Sequence, residues 1–94
     1  MIFEEINLAK ATIIDVRTAL EFSKGHVIGA TNIPLDQVEE RIDEFKKIQG
    51  NIVLCCLSGS RSGNATKHLL DLGLDNVYNG GGWGILNLQV LNVL

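Results

Sequence analysis

Asn51-Ile52-Val53-Leu54-Cys55-Cys56-Leu57-Ser58-Gly59-Ser60-Arg61-Ser62 changes character halfway along. Up to Cys56 it has no polar alternation after Asn51, as a central parallel strand covered on both faces requires. Ser58-Gly59-Ser60 then reads as a turn. Residues 62–72 follow as a helix with Ala65, Leu69 and Leu72 inward and Gly73 as its stop. Working outward, Thr12-Ile13-Ile14-Asp15-Val16 is a β-branched run of strand length. Thr18 and Glu21 form a Thr-x-x-Glu capping box for a short helix over 19–24, which Gly25 ends. Residues 30–33 read as a short strand closed by Pro34. Asp36, with Glu39 as reciprocal partner, reads as the cap of a helix burying Leu35, Val38, Ile42 and Phe45. Asn76-Val77-Tyr78 is the last short strand, before Gly80-Gly81-Gly82, Trp83 and an apolar tail to Leu94. Strands alternating with helices across short loops predict an α/β fold with a mostly parallel sheet, as a single domain over residues 1–94.

Composition narrows the function classes. At 46% hydrophobic and 20% charged residues the chain is too apolar for intrinsic disorder. Eight Lys+Arg against eleven Asp+Glu give a net charge of −3, and no basic patch stands out, so no nucleic-acid partner is expected. No apolar stretch approaches the ~20 residues of a membrane helix, so no membrane partner is expected either. The first residues lack a basic and apolar leader pattern, and the expected location is cytoplasmic.

Cys55 and Cys56 are the only cysteines, and as neighbours they cannot form an ordinary unstrained disulfide. With only His26 and His68 as further soft ligands, no metal site is expected. Side chains alternate along a strand, so Cys55 should point away from Cys56, as core filler or as a resolving thiol. Cys56 begins a loop at the carboxyl end of a buried strand, where open α/β sheets place ligands. A short loop wrapping into a helix N-terminus turns successive N–H groups inward. Gly59 permits the backbone this needs, and Arg61 adds a permanent cation. A thiolate is favoured in such a ring, which makes Cys56 the candidate nucleophile.

Three motifs carry a family resemblance over roughly residues 12–82. Asp15-Val16-Arg17 with Glu21-Phe22, the run Gly25-His26-Val27-Ile28-Gly29-Ala30-Thr31-Asn32-Ile33-Pro34, and Cys56-Leu57-Ser58-Gly59-Ser60-Arg61-Ser62 together resemble the single-domain rhodaneses, a family of sulfurtransferases. The resemblance implies a three-layer rhodanese-like fold with a roughly five-stranded parallel sheet flanked by helices. It implies a sulfane sulfur taken from thiosulfate or a persulfide donor, carried as a Cys56 persulfide, and passed to cyanide or a thiol. A protein could replace the small donor or acceptor, and no cofactor is implied. The anion-binding loop would be Leu57, Ser58, Gly59, Ser60, Arg61 and Ser62. Asp15 and Arg17, at a strand end beside a helix cap, are read as an ion pair fixing the site from behind, and His26 as a hydrogen-bonded structural residue.

Cys56 to Arg61 is C-x4-R, whereas the related phosphatases use a wider C-x5-R loop, so phosphatase or arsenate reductase chemistry is the less favoured reading. Two departures matter. Leu57 leaves Arg61 as the loop's only cation, a weak attraction for the thiosulfate dianion. Trp83 directly follows Gly82, where family members carry a tryptophan several residues later. The alternative to an enzyme is a non-catalytic or sensing module on the same fold.

Overall fold

The computed structural model describes residues 2–94, and its described residues build four parallel strands. Strands β1 (Thr12–Asp15) and β3 (Ile52–Cys56) are central, flanked by β2 (Thr31–Asn32) and β4 (Val77–Gly82) in the order β2-β1-β3-β4. Asp15 pairs with Cys55, so β1 and β3 finish level and present their carboxyl ends together. Helices α1 (Ala19–Ser23), α2 (Ile42–Lys46), α3 (Ser60–Asp71) and α4 (Trp83–Val93) complete the chain.

Every residue of β3 is buried, because both sheet faces are covered. One face packs Ile14, Val16, Leu54 and Cys56 against Phe45, Ala65 and Leu69 of α2 and α3. The other packs Ile13, Val53 and Cys55 against Leu86 and Val90 of α4. The pleat therefore sends the two adjacent cysteines to opposite layers.

The α/β class with a parallel sheet is as expected, but the sheet has four strands rather than roughly five. Four strands are what the residues themselves predict, and the fifth comes only from the family resemblance; before β1, Phe3–Glu5 forms a 3-10 turn. Its hydrogen bonds close locally, from Glu5 N to Ile2 O at 2.9 Å and from Ile6 N to Phe3 O at 3.0 Å.

The continuous helix expected from Asp36 is also broken. Leu35–Gln37 is a 3-10 turn, and α2 begins only at Ile42, after Arg41, without a side-chain cap. A tertiary bond competes with the local signal: Leu35 N–H donates to the carbonyl of Val16, the residue that follows β1, at 3.0 Å, which ties the start of this turn to the end of that strand. Helix α3 starts at Ser60, two residues before the expected position, and β4 runs on through the glycine triplet. A Cβ at Gly82 would lie 2.7 Å from Leu57 O, so only glycine lets β4 pass so close to the loop.

The apolar tail divides in two. Leu86 and Val90 are buried, while Ile85, Leu88, Leu91, Val93 and Leu94 are exposed. No helix among the described residues is long and apolar enough to cross a membrane.

Candidate active site

Cys56 is the last residue of β3 and is buried on the α3 face of the sheet. The chain then turns through Leu57 and Ser58, both exposed, into Gly59, whose φ of 101° lies in the left-handed region where a side chain is strained. That turn brings Gly59 N–H to 3.0 Å from Cys56 Sγ. Ser62, fully buried in the first turn of α3, places its hydroxyl oxygen 3.4 Å from the same sulfur. Burial alone would push the thiol up. The Ser62 hydroxyl and the backbone N–H groups of Ser62, Ser58 and Gly59 outweigh it and hold the Cys56 pKa down at about 7. In the opposite layer, burial and the nearby Asp15 carboxylate push Cys55 up to about 12. The two thiols therefore separate by acidity as well as by direction.

Ser62 has one hydroxyl proton and two acceptors, Cys56 Sγ and, at 2.7 Å, Asn79 Oδ1. The proton can serve only one of them at a time, and an ionised sulfur competes for it better than a neutral thiol does. The sign of the pH dependence follows. Thiolate accumulates as pH rises, so alkylation of Cys56 by iodoacetamide, read by mass, should rise with a midpoint near 7 and then level off. In Ser62→Ala the midpoint moves up by roughly one unit, the worth of one hydrogen bond to a charged group. An unmoved midpoint would remove Ser62 from the account of the acidity.

Arg61 does not stand as a bare loop cation. Its Nη1 and Nη2 donate to Glu21 Oε1 and Oε2 at 2.7 and 3.0 Å. Arg61, with the Thr18 backbone N–H, holds the Glu21 carboxyl down at about 2, so the pair stays charged throughout the range in which Cys56 ionises. Glu21 also closes the expected capping box, with Thr18 N–H donating to Oε1 at 3.0 Å and Glu21 N–H to Thr18 Oγ1 at 3.2 Å. The cap explains the start of α1, and the carboxylate has capacity left for Arg61.

Asp15 and Arg17 form a buried ion pair just behind the loop. Arg17 Nη2 lies 2.7 Å and Nε 3.0 Å from Asp15 Oδ2. The guanidinium also donates to Gly25 O at 2.7 Å and packs 4.7 Å from the Trp83 ring centroid. Asn32 Nδ2 donates to the carbonyls of both Asp15 and Arg17, at 2.9 Å each. His26 is exposed, stacked on Phe22 at a centroid distance of 3.8 Å, and donates from Nδ1 to Phe22 O at 2.8 Å. Its contacts hold the end of α1. Ser60 is exposed at the start of α3.

Two contributors were not read from the sequence as part of the site. Glu21 was explained by its cap alone, although its place in a motif with Arg17 was a signal. Asn79 accepts from Ser62 and donates from Nδ2 to Gly59 O at 3.0 Å, bracing the loop from β4. Nothing in its local pattern announces this, because the contact depends on how β4 lies beside β3.

Comparison with known proteins identifies the family of the chain. The model of the Rhodanese-like domain family matches residues 3–83. An uncharacterized protein of Bacillus subtilis, YqhL, is 41% identical over 70 residues, 74% of this chain and 55% of its own length. The thiosulfate sulfurtransferase PspE of Escherichia coli is 40% identical over 70 residues, 73% of this chain and 67% of that protein. A solved structure described as a rhodanese with anions from E. coli superposes with a TM-score of 0.71 at 36% identity, covering 79% of this chain and 88% of that one. The matched region spans little more than half the length of YqhL.

Proposed function

The chain belongs to the rhodanese-like domain family, and from that premise we propose that it is a sulfurtransferase carrying one sulfane sulfur on Cys56. The observation that supports this most directly is the Cys56 sulfur at the end of β3, with Gly59 N–H at 3.0 Å, the Ser62 hydroxyl at 3.4 Å and a pKa near 7. About half the protein is then thiolate at neutral pH, without any general base.

The thiolate attacks the outer sulfur of the donor. With thiosulfate the donor S–S bond breaks, sulfite leaves with its electron pair, and Cys56 becomes an anionic persulfide. With an organic persulfide in its protonated form, the new S–S bond forms as the carrier thiolate leaves, and the proton stays on the transferred sulfur. The loop N–H groups face the charge that develops there, as an oxyanion hole does. In the second half, cyanide takes the terminal sulfur as thiocyanate, or a thiolate takes it as a new persulfide, and Cys56 returns as thiolate. Splitting one transfer into two displacements is covalent catalysis. The reaction suits a reducing, cytoplasmic setting in which small thiols accept the sulfur.

Intact mass after incubation with thiosulfate, and separately with a small-thiol persulfide, tests the reading. One added sulfur that leaves on addition of cyanide is the expected result. A folded, reduced protein that loads sulfur from neither donor would overturn it and leave a binding or sensing module.

A further inference from the structure

Beside the loop lies an open cleft of about 400 Å³ lined by Val16, Thr18, Pro34, Leu35, Asp36 and Arg61. Two backbone hydrogen bonds tie it to the nucleophile's strand. Val16 N–H donates to Cys55 O at 2.9 Å, and Leu35 N–H donates to Val16 O at 3.0 Å. Val16 also packs in the same core layer as Cys56, so the cleft opens on the face of the sheet toward which the nucleophile points.

The lining is chemically lopsided. Val16, Pro34 and Leu35 make an apolar wall. Arg61 contributes a cation already bound bidentately by Glu21, so the two charges cancel at short range. Asp36 is the one carboxylate of the lining, and it is exposed at the rim. The cleft therefore offers a hydrocarbon surface and one uncompensated negative charge. A dianion such as thiosulfate gains nothing there, whereas a short carbon chain bearing an ammonium group is complementary to both features.

We propose that this cleft holds the carbon skeleton of the sulfur carrier, and that the carrier is a small aminothiol whose ammonium group is read by Asp36. The proposal rests on the sulfurtransferase reading and names its substrate class. The aminothiol persulfide is the donor: Cys56 thiolate bonds to the terminal sulfur, the carrier S–S bond breaks, and the aminothiolate leaves and takes a proton from water. No net oxidation occurs. The same cleft serves the free aminothiol as acceptor in the reverse direction.

The test measures the rate of sulfur loading, by quenched-flow mass spectrometry, from three persulfides of similar length. Their carriers are cysteamine, 2-mercaptoethanol and thioglycolate, which are cationic, neutral and anionic. Each rate is read in the wild type and in Asp36→Asn, and the ratio between the two proteins cancels each persulfide's intrinsic reactivity. The expected result is that the cationic-to-anionic rate ratio falls about tenfold in Asp36→Asn, as attraction for one carrier and repulsion of the other are both lost. Added salt should lower the wild-type ratio in the same direction. A ratio that is the same in both proteins overturns the aminothiol assignment while leaving sulfur transfer intact. Loading from none of the three defeats the sulfurtransferase reading itself, and this inference with it.

Discussion

Cys56→Ser lowers sulfur transfer from either donor to cyanide by at least ~10³-fold, because a serine hydroxyl in this loop supplies neither the ionised nucleophile nor a sulfur that can hold a persulfide. The loss is a rate effect. Sγ and Oγ are nearly isosteric, and Gly59 N–H and Ser62 still have an acceptor, so urea unfolding of the variant should stay close to the wild type. Cys55→Ala is the paired control. Cys55 lies in the opposite layer, packed with Val53 and Leu86, and its pKa near 12 leaves it protonated. Its removal costs packing in the α4 layer and should leave transfer per folded molecule within a small factor. If Cys55→Ala abolishes transfer in a folded protein, the resolving-thiol reading of Cys55 replaces that of core filler.

The contrast between the cysteines shows what a sequence of this kind makes legible. The unbroken apolar run of β3 followed by Ser58-Gly59-Ser60 reveals strand, turn and helix in order, and strand periodicity alone separates Cys55 from Cys56. These readings survive because they depend on contacts within a few residues. The readings that fail are tertiary. Asp36 and Glu39 form a sound capping pattern, yet the Leu35 N–H bonds Val16 O, the turn starts two residues earlier than that cap would place it, and the helix proper begins only at Ile42. Glycines 80–82 follow the expected end of the last strand, yet β4 runs through them, because Gly82 has no side chain to meet Leu57 and Gly80 none to meet Val53. Arg61 reads equally as a loop cation or as half of an ion pair, and what the sequence leaves open is its partner, a carboxylate forty positions away on α1.

That last pairing changes the chemistry more than the fold. A bare Arg61 would draw anionic donors to the loop; an Arg61 neutralised by Glu21 holds the loop's shape and leaves the backbone N–H groups and Ser62 to stabilise the sulfur anion. The positions of α1 and β1 thus become part of the site, although neither supplies an atom that touches Cys56 Sγ.

Arg17 is where that dependence should be largest. Its guanidinium faces an Asp15 carboxylate with no solvent exposure, bonds the Gly25 carbonyl at 2.7 Å, lies 3.4 Å from Glu21 O and stacks on Trp83. In Arg17→Met the stem volume is kept while Asp15 is left as a buried, uncompensated charge. Losing one partner of a buried pair costs about 3–5 kcal/mol, a large part of the ~5–15 kcal/mol that holds a domain folded. The urea midpoint should fall accordingly, with an unchanged slope. The double variant Asp15→Asn with Arg17→Met removes the stranded charge, so it should be more stable than Arg17→Met alone even though it carries one more substitution. If the double variant is the less stable of the two, the carboxylate is not what the guanidinium compensates, and packing on Trp83 accounts for the loss. The site supplies an independent readout. Arg17 anchors the helix that carries Glu21, and Glu21 holds Arg61, so folded Arg17→Met should show a displaced midpoint for Cys56 alkylation although Arg17 touches no atom of the loop. An unmoved midpoint beside a lowered stability would confine Arg17 to the core.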